Sequence, residues 1–302
     1  MTDPPETRPS PRDHPTEPPL RPATAARLPA WVPSATPAPL ADHAAAVHHL
    51  DAHVHLWDTS RRALPWLPAG HPLRRDFTLP DLARSGGGRL PDTILVQADA
   101  DPLEVTDLLG LAAATPAVLG VVGWFDLHRS ASFPEHTKLV GVRCPPADQT
   151  DPGALDDAGF VRGVCAAADA GLAIDLLLRP PALLGAARLA GAVPGARLVL
   201  DHLGNPAAPT DDWLTGMKAL ADRPNVTVKL SGTAHLASDT LAELIDVTLG
   251  LFGSDRLMFG SDWPVCTLSS TRAEVLRRTA ELLPAAAHND VFRGTAQRTY
   301  RP

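Results

Sequence analysis

Lysine, cysteine and long apolar runs are scarce in this 302-residue chain. Lys138, Lys218 and Lys229 are its lysines, so nearly all positive charge is arginine, and no Lys/Arg block forms a basic face. With 27 basic against 34 acidic side chains and a formal net charge of −7, a phosphate-backbone partner is excluded, and no nucleic-acid binding is expected. No apolar stretch reaches the roughly 18 uninterrupted residues that a membrane span needs, so no membrane insertion is expected. The three cysteines, Cys144, Cys165 and Cys266, are too few and too scattered for a disulfide framework or a zinc ribbon. A reducing, cytoplasmic setting is the expectation.

Proline is plentiful but uneven, with 12 of its 32 residues before position 40. Residues 1–48 mix proline, alanine, threonine and charge without periodicity. Such a composition buries too little apolar surface to offset the entropy of ordering, and predicts a disordered Pro/Ala-rich extension. It has no basic segment leading into an apolar one, so it does not read as a secretory signal. The whole chain is 44% hydrophobic, and the remainder, residues 49–302, predicts one globular domain.

In that domain short β-branched runs alternate with alanine- and leucine-rich segments of helical spacing. The strand candidates are 47–54, 93–97, 118–127, 139–143, 173–178, 197–201, 226–230 and 256–260. Helix candidates are 103–114, 158–170, 181–192, 211–223, 241–252 and 271–283. The connection 127–138 is polar and carries no helical pattern. Eight strands, mostly each followed by a helix, over about 250 residues predict an α/β fold, a distorted (β/α)8 TIM barrel. A doubly wound open sheet is the alternative, weakened because no glycine-rich phosphate loop follows the first strand.

Barrel enzymes place their chemistry at the C-terminal ends of the strands. The first end reads Asp51-Ala52-His53-Val54-His55. Residues two apart on a strand share a face, so both imidazoles can enter the mouth and bind a divalent metal or clamp an oxyanion. The sixth end carries His202 in Leu200-Asp201-His202-Leu203-Gly204. The eighth carries Asp262 in Gly260-Ser261-Asp262-Trp263-Pro264, where a carboxylate can hold a metal or take a proton from water. Each motif also has a plain structural reading. Their convergence on strands 1, 6 and 8 is what makes them a site.

These motifs, with Pro65–Leu67, Val121–Leu127 and Lys229–Gly232, resemble the amidohydrolase-2 branch of the amidohydrolase superfamily. Within it the chain is most similar to sugar lactone hydrolases of the L-fuconolactonase and L-rhamnonolactonase type, over residues 49–302 and with the motifs in the expected order. The resemblance implies a hydrolase of carbohydrate catabolism that opens a lactone, a sugar aldonolactone or a related small carboxylated lactone, by attack of an activated water. It implies His53, His55 and Asp262 as metal ligands, with one divalent metal, zinc foremost, or none. Asp262 and His202 are the implied catalytic pair, and Glu104 is either an additional ligand or a carboxylate of a first helical turn.

The residues themselves leave several roles open. Arg143 and Arg179 stand at strand ends, to grip a substrate carboxylate or to pair with Asp175 or Asp201. Lys229 is placed to reach substrate hydroxyls or to neutralise Asp262. Trp57, Trp124 and Trp263 are candidates for an apolar wall against a sugar ring, and equally for core packing. Two departures from the family pattern stand out. The fifth strand end, Leu176-Leu177-Leu178-Arg179, lacks the histidine of binuclear members. Cys144 stands where sugar lactonases often have histidine after the arginine. The rival readings are a metal-dependent decarboxylase of the same branch and a ligand-binding barrel without turnover. The partner expected is a small-molecule lactone, and self-association into a homo-oligomer stays open.

Overall fold

Strands form within the β-branched and leucine-rich runs of the sequence. The computed structural model describes residues 49–302 other than residues 63, 130 and 131; the extension expected over residues 1–48 lies outside the described residues. The strands are β1 (Leu50–Val54), β2 (Asp92–Val96), β3 (Val118–Trp124), β4 (Leu139–Arg143), β5 (Ala173–Leu176), β6 (Arg197–Leu200), β7 (Val226–Leu230) and β8 (Leu257–Phe259). They pair in parallel in chain order, the arrangement of a (β/α)8 barrel.

Eight α-helices accompany them among the described residues: α1 (Leu79–Ser85), α2 (Pro102–Ala114), α3 (Ala158–Asp169), α4 (Leu183–Ala192), α5 (Asp211–Ala221), α6 (Ser238–Phe252), α7 (Arg272–Leu282) and α8 (Thr295–Tyr300). Side chains that accept a first-turn backbone N–H start several of them: Asp101 for α2, Asp157 for α3, Thr210 for α5 and Thr271 for α7. No helix joins β3 to β4 among the described residues, as the polar stretch there implies. Helices α1 and α8 are too short to show periodicity in the sequence. No helix among the described residues is long and apolar enough to cross a membrane.

Two apolar layers hold the barrel. The outer layer lies between strands and helices and includes Val54, Leu95, Val142, Leu198, Val228 and Phe259. The inner one is built from Leu50, Ala52, Ile94, Val96, Val122, Val140, Ala173, Val199 and Met258, joined by Ala296 and Tyr300 of α8. The terminal helix thus contributes a core side chain to the barrel interior. Arg197, at the start of β6, holds α8 there by donating to Thr299 O at 2.7 Å.

β1 changes phase along its length. Leu50 and Ala52 belong to the inner layer and Val54 to the outer. The register against β2 shifts between Asp51 and Val54. A bulge of this kind re-aims the side chains beyond it. Asp51 therefore faces α7, where Arg272 Nη1 lies 3.2 Å from its carboxylate, while His53, two residues on, faces inward. The i, i+2 rule predicts His53 and His55 on one face, and that holds; the bulge decides that the face is the barrel interior.

The seam between β8 and β1 is closed beyond the end of β8. Val54 bridges Trp263, Asp262 N–H donates to His53 O at 2.9 Å, and His55 N–H donates to Trp263 O at 2.7 Å. The segment that completes the ring is therefore the one that carries the strand-8 aspartate, and closure itself brings Asp262 to the strand-1 histidines.

Candidate active site

At that seam His53 Nε2 and His55 Nε2 are 3.1 Å apart. Asp262 Oδ1 lies 3.5 Å from His55 Nε2 and 3.9 Å from His53 Nε2. Tetrahedral zinc, with bonds of about 2.0–2.2 Å, separates neighbouring ligand atoms by roughly 3.3–3.6 Å. The three donors converge to within a few tenths of an ångström of that spacing, and nitrogen with carboxylate oxygen is a donor set zinc accepts. His53, His55 and Asp262 thus fit a divalent metal.

The second polar atom of each ring is also placed. His55 Nδ1 lies 2.7 Å from Val96 O. A carbonyl only accepts, so Nδ1 carries the proton and Nε2 offers its lone pair to the mouth. His53 Nδ1 faces a buried charge cluster below the site, 3.3 Å from Asp201 Oδ1 and 3.2 Å from Lys229 Nζ. Lys229 lies 2.5 Å from Asp175 and 3.0 Å from Asp201, all three fully buried. Tyr300 OH donates to Asp175 from beneath, at 2.8 and 2.9 Å. A second His/Asp group, His53 with Asp201 and His202, already has the Lys229 ammonium beside two of its members.

Charge balance follows from burial and neighbours. Burial pushes the Lys229 ammonium down, but Asp175 and Asp201 outweigh it and hold the pKa above its ordinary value. Burial raises Asp175 to about 6 against the pull of Lys229. For Asp201, burial also acts upward, yet Lys229 and His53 win and keep it well below the usual carboxylate range. Burial and Lys229 hold His53 well below its ordinary value, so the ring is neutral. Burial opposes ionisation of Asp262, but His202, His55 and His53 together keep it below its usual range and charged.

His202 and Asp262 share a backbone peculiarity. Neither is glycine, yet both are left-handed, with φ of 56° and 57°. Such a conformation costs about 1–3 kcal/mol and gathers at functional sites. His202 opens the turn after β6, and its Nδ1 is 2.8 Å from Ser231 Oγ at the end of β7. Burial lowers its pKa.

Two glycines make room for this packing. At Gly232, itself at φ 66°, a Cβ would lie 2.8 Å from the His202 ring; at Gly260 it would lie 2.6 Å from His53 Cβ and 3.1 Å from Ser231 Cβ. A Gly260→Ala variant must move the strand-1 histidine. Overpacking of this kind costs about 1–3 kcal/mol, and for a domain of this size each kcal/mol lowers Tm by about 2–4 °C. A melting curve that matched the wild type would show that His53 has more freedom than these contacts allow.

The other expected site residues divide. Arg143 is 4% exposed, stacks its guanidinium 4.9 Å from the Trp124 ring centre, and leaves Nε without a hydrogen-bond partner. Burial lowers its pKa, while Asp201, Asp175, Glu104 and Asp262 all bear on its charge. Asp175 and Asp201 are paired with Lys229, which leaves Arg143 for another acceptor. Glu104 is buried in the first turn of α2 and accepts from Ala98 N–H at 2.6 Å and Asp99 N–H at 3.1 Å, the first-turn reading; it is not among the groups spaced to hold a metal.

Three expectations need correction. Lys229 is fully buried among Asp175, Asp201 and His53, too deep to reach substrate hydroxyls, because the inward face of β7 points into the barrel. Trp57 and Trp263 are buried core residues, each edge-on to Phe77, and Trp57 Nε1 donates to Arg75 O at 2.8 Å; they support the mouth from behind and line no open wall. Arg179 is exposed, three residues beyond the end of β5 at Leu176, and its backbone N–H donates to Gln149 O at 2.9 Å.

Sequence reasoning missed Ser231 and Tyr300, and gave Asp175 only as a salt-bridge partner. Asp175 had a signal, as the sole charge in an apolar strand. Ser231 sits inside a motif that was noticed. Tyr300 had none.

The family model described as amidohydrolase matches residues 50–301. L-fucono-1,5-lactonase of Burkholderia multivorans is 36% identical over 283 residues, covering 83% of this chain and 95% of the relative. L-fucono-1,5-lactonase of Burkholderia ambifaria is 34% identical over 242 residues, covering 73% and 81%. A crystal structure of an amidohydrolase from Burkholderia multivorans with bound zinc superimposes with a TM-score of 0.75 at 32% identity, covering 84% of this chain and 99% of that one.

Proposed function

We propose that this chain, which belongs to the amidohydrolase family, is a hydrolase that opens the ring of a sugar aldonolactone or a closely related lactone. The observation that carries the reading is the meeting of His53, His55 and Asp262 within 3.1–3.9 Å at the barrel mouth. The two L-fucono-1,5-lactonases, at 36% and 34% identity, support a lactone as the substrate class. Arg143, buried with an unspent Nε, is the candidate for fixing a substrate oxygen or carboxylate.

Lactone hydrolysis needs a nucleophilic water, stabilisation of the developing oxyanion, and a proton for the leaving alkoxide. Asp262, held charged, takes a proton from water as its oxygen bonds to the carbonyl carbon. His202, anchored through Nδ1 to Ser231, presents its other nitrogen to polarise the carbonyl and to stabilise the developing oxyanion. When the tetrahedral centre collapses, the ring C–O bond breaks and Asp262 returns its proton to the alkoxide. The product is a hydroxy acid, which ionises in neutral solution. His53, His55 and Asp262 are the residues that would hold a divalent metal; when bound, it supplies Lewis acidity, making water more acidic and polarising a carbonyl.

The test is a pH-indicator assay on a panel of neutral aldonolactones and anionic lactones, with and without chelator. Ring opening of a neutral aldonolactone, slowed by chelator and restored by zinc, is the expected result. No turnover of any lactone by folded, zinc-supplied protein would overturn the reading.

A further inference from the structure

Three polar contacts form one directional chain. Val96 O only accepts, so His55 Nδ1 at 2.7 Å donates to it. A proton on His53 Nε2 makes the 3.1 Å contact between the two Nε2 atoms a hydrogen bond. That leaves His53 Nδ1 as an acceptor, and Lys229 Nζ, which only donates, stands 3.2 Å away. Every polar hydrogen in the chain is used, with His53 holding its proton on Nε2. In that tautomer His53 has no lone pair at Nε2, the atom that faces His55 and Asp262.

The opposite tautomer is also provided for. Asp201 Oδ1, fully buried, lies 3.3 Å from His53 Nδ1 and 3.0 Å from Lys229 Nζ. An ionised carboxylate only accepts, and this one stands beside the nitrogen that would carry the proton if Nε2 gave its lone pair to a cation. Lys229 and Asp201 thus face the same ring atom with opposite demands.

We propose that Lys229 and Asp201 are positioning residues that select the tautomer of His53, and through it the affinity of the His53–His55–Asp262 site for a divalent cation. With Lys229 donating to Nδ1, the proton sits on Nε2 and the site is closed to metal; His53 then acts as a hydrogen-bond donor into the mouth. With Nδ1–H donating to Asp201, the Nε2 lone pair is free and the site is open. The ring is neutral in both forms, so one proton leaves Nε2 as one arrives at Nδ1, and Lys229 keeps its charge throughout. The other charged groups near the ring are Asp175, which holds Lys229 from the far side, and Asp262; His55 and His202 are the neighbouring rings. The proposal rests on the cation reading of the site given above.

Imidazole tautomers have distinct ring-nitrogen signatures in long-range ¹⁵N–¹H correlation spectra. Metal-stripped wild-type protein labelled with ¹⁵N-histidine, with the His53 signals assigned by their loss in His53→Gln, is expected to show the proton on Nε2. Lys229→Met is expected to move it to Nδ1 and to tighten zinc binding, read by competition with a chromophoric chelator, by about tenfold or more, the lower edge of what partners of metal ligands contribute. Asp201→Asn, nearly isosteric, is expected to keep the proton on Nε2 and to weaken zinc binding about 10–100-fold. A proton on Nδ1 in the metal-free wild type, or a reversed order of the two variants' zinc affinities, overturns the proposal. The wild-type spectrum and Asp201→Asn decide it if Lys229→Met does not fold. Zinc that binds none of the three proteins overturns the link to affinity together with the cation reading. No lactone is used, so the hydrolase reading stands or falls on its own assay.

Discussion

Asp262→Asn is expected to lower kcat for lactone opening by about 10²–10⁴-fold, the range a positioned general base contributes. The substitution is close to isosteric, and asparagine is among the few residues that tolerate a left-handed backbone, so the φ of 57° at this position is retained and the fold should survive. What is lost is the ability to accept a proton from water and return it to the alkoxide. Saturating zinc separates that loss from the weakened metal binding that follows from removing a candidate ligand. The pH dependence has a definite sign. Asp262 works in its ionised form, and its neighbours hold its pKa below the ordinary value. The wild-type rate should fall as pH drops through the acid range, and the carboxylate should impose no limb near neutrality. Retention of more than a tenth of wild-type kcat by Asp262→Asn would remove it from the role of base.

The largest stability effect is expected at Lys229. Its ammonium lies within 2.5–3.0 Å of two carboxylates, all fully buried. Methionine there fills the volume but leaves Asp175 and Asp201 without a cation. Removing one partner of a buried charge pair costs about 3–5 kcal/mol. At about 2–4 °C per kcal/mol for a domain of this size, Tm should fall by about 6–20 °C in neutral buffer. The loss should shrink in acid. Asp175 is raised to about 6 even beside Lys229, and without the lysine both carboxylates titrate higher. A carboxyl whose folded pKa lies above its unfolded one binds a proton on folding, so its contribution is present at low pH and is lost as pH rises through the folded pKa. Melting curves of Lys229→Met at pH 5 and pH 8 should therefore diverge from the wild type more at pH 8. An equal deficit at both pH values would mean that the cluster is not held by charge.

The two effects come from different levels of the molecule. Asp262 was identifiable from a motif at the end of the eighth strand candidate, as were His53, His55 and His202 at the ends of strands 1 and 6. Chain order and the strand-end rule sufficed to place them at one mouth. The cluster beneath was not legible in the same way. Asp175, Lys229 and Tyr300 are separated by 54 and 125 residues in their contacts, and no local pattern links them. Lys229 looked like a mouth residue because strand alternation tells which residues share a face, not how deep in the barrel each one lies.

Local chemistry therefore determined the eight parallel strands, the helices between most of them and the four residues of the mouth, because periodicity, capping and strand-end position are properties of neighbours in sequence. Tertiary structure alone decided which face of β1 turns inward, through a one-residue bulge between Asp51 and Val54. It decided that closure of the ring beyond β8 delivers Asp262 to His53 and His55. It also decided that an ammonium and two carboxylates share the interior under His53. Each of these depends on through-space distances between strands far apart in the chain, where packing and the cost of burying charge, not local propensity, choose the arrangement.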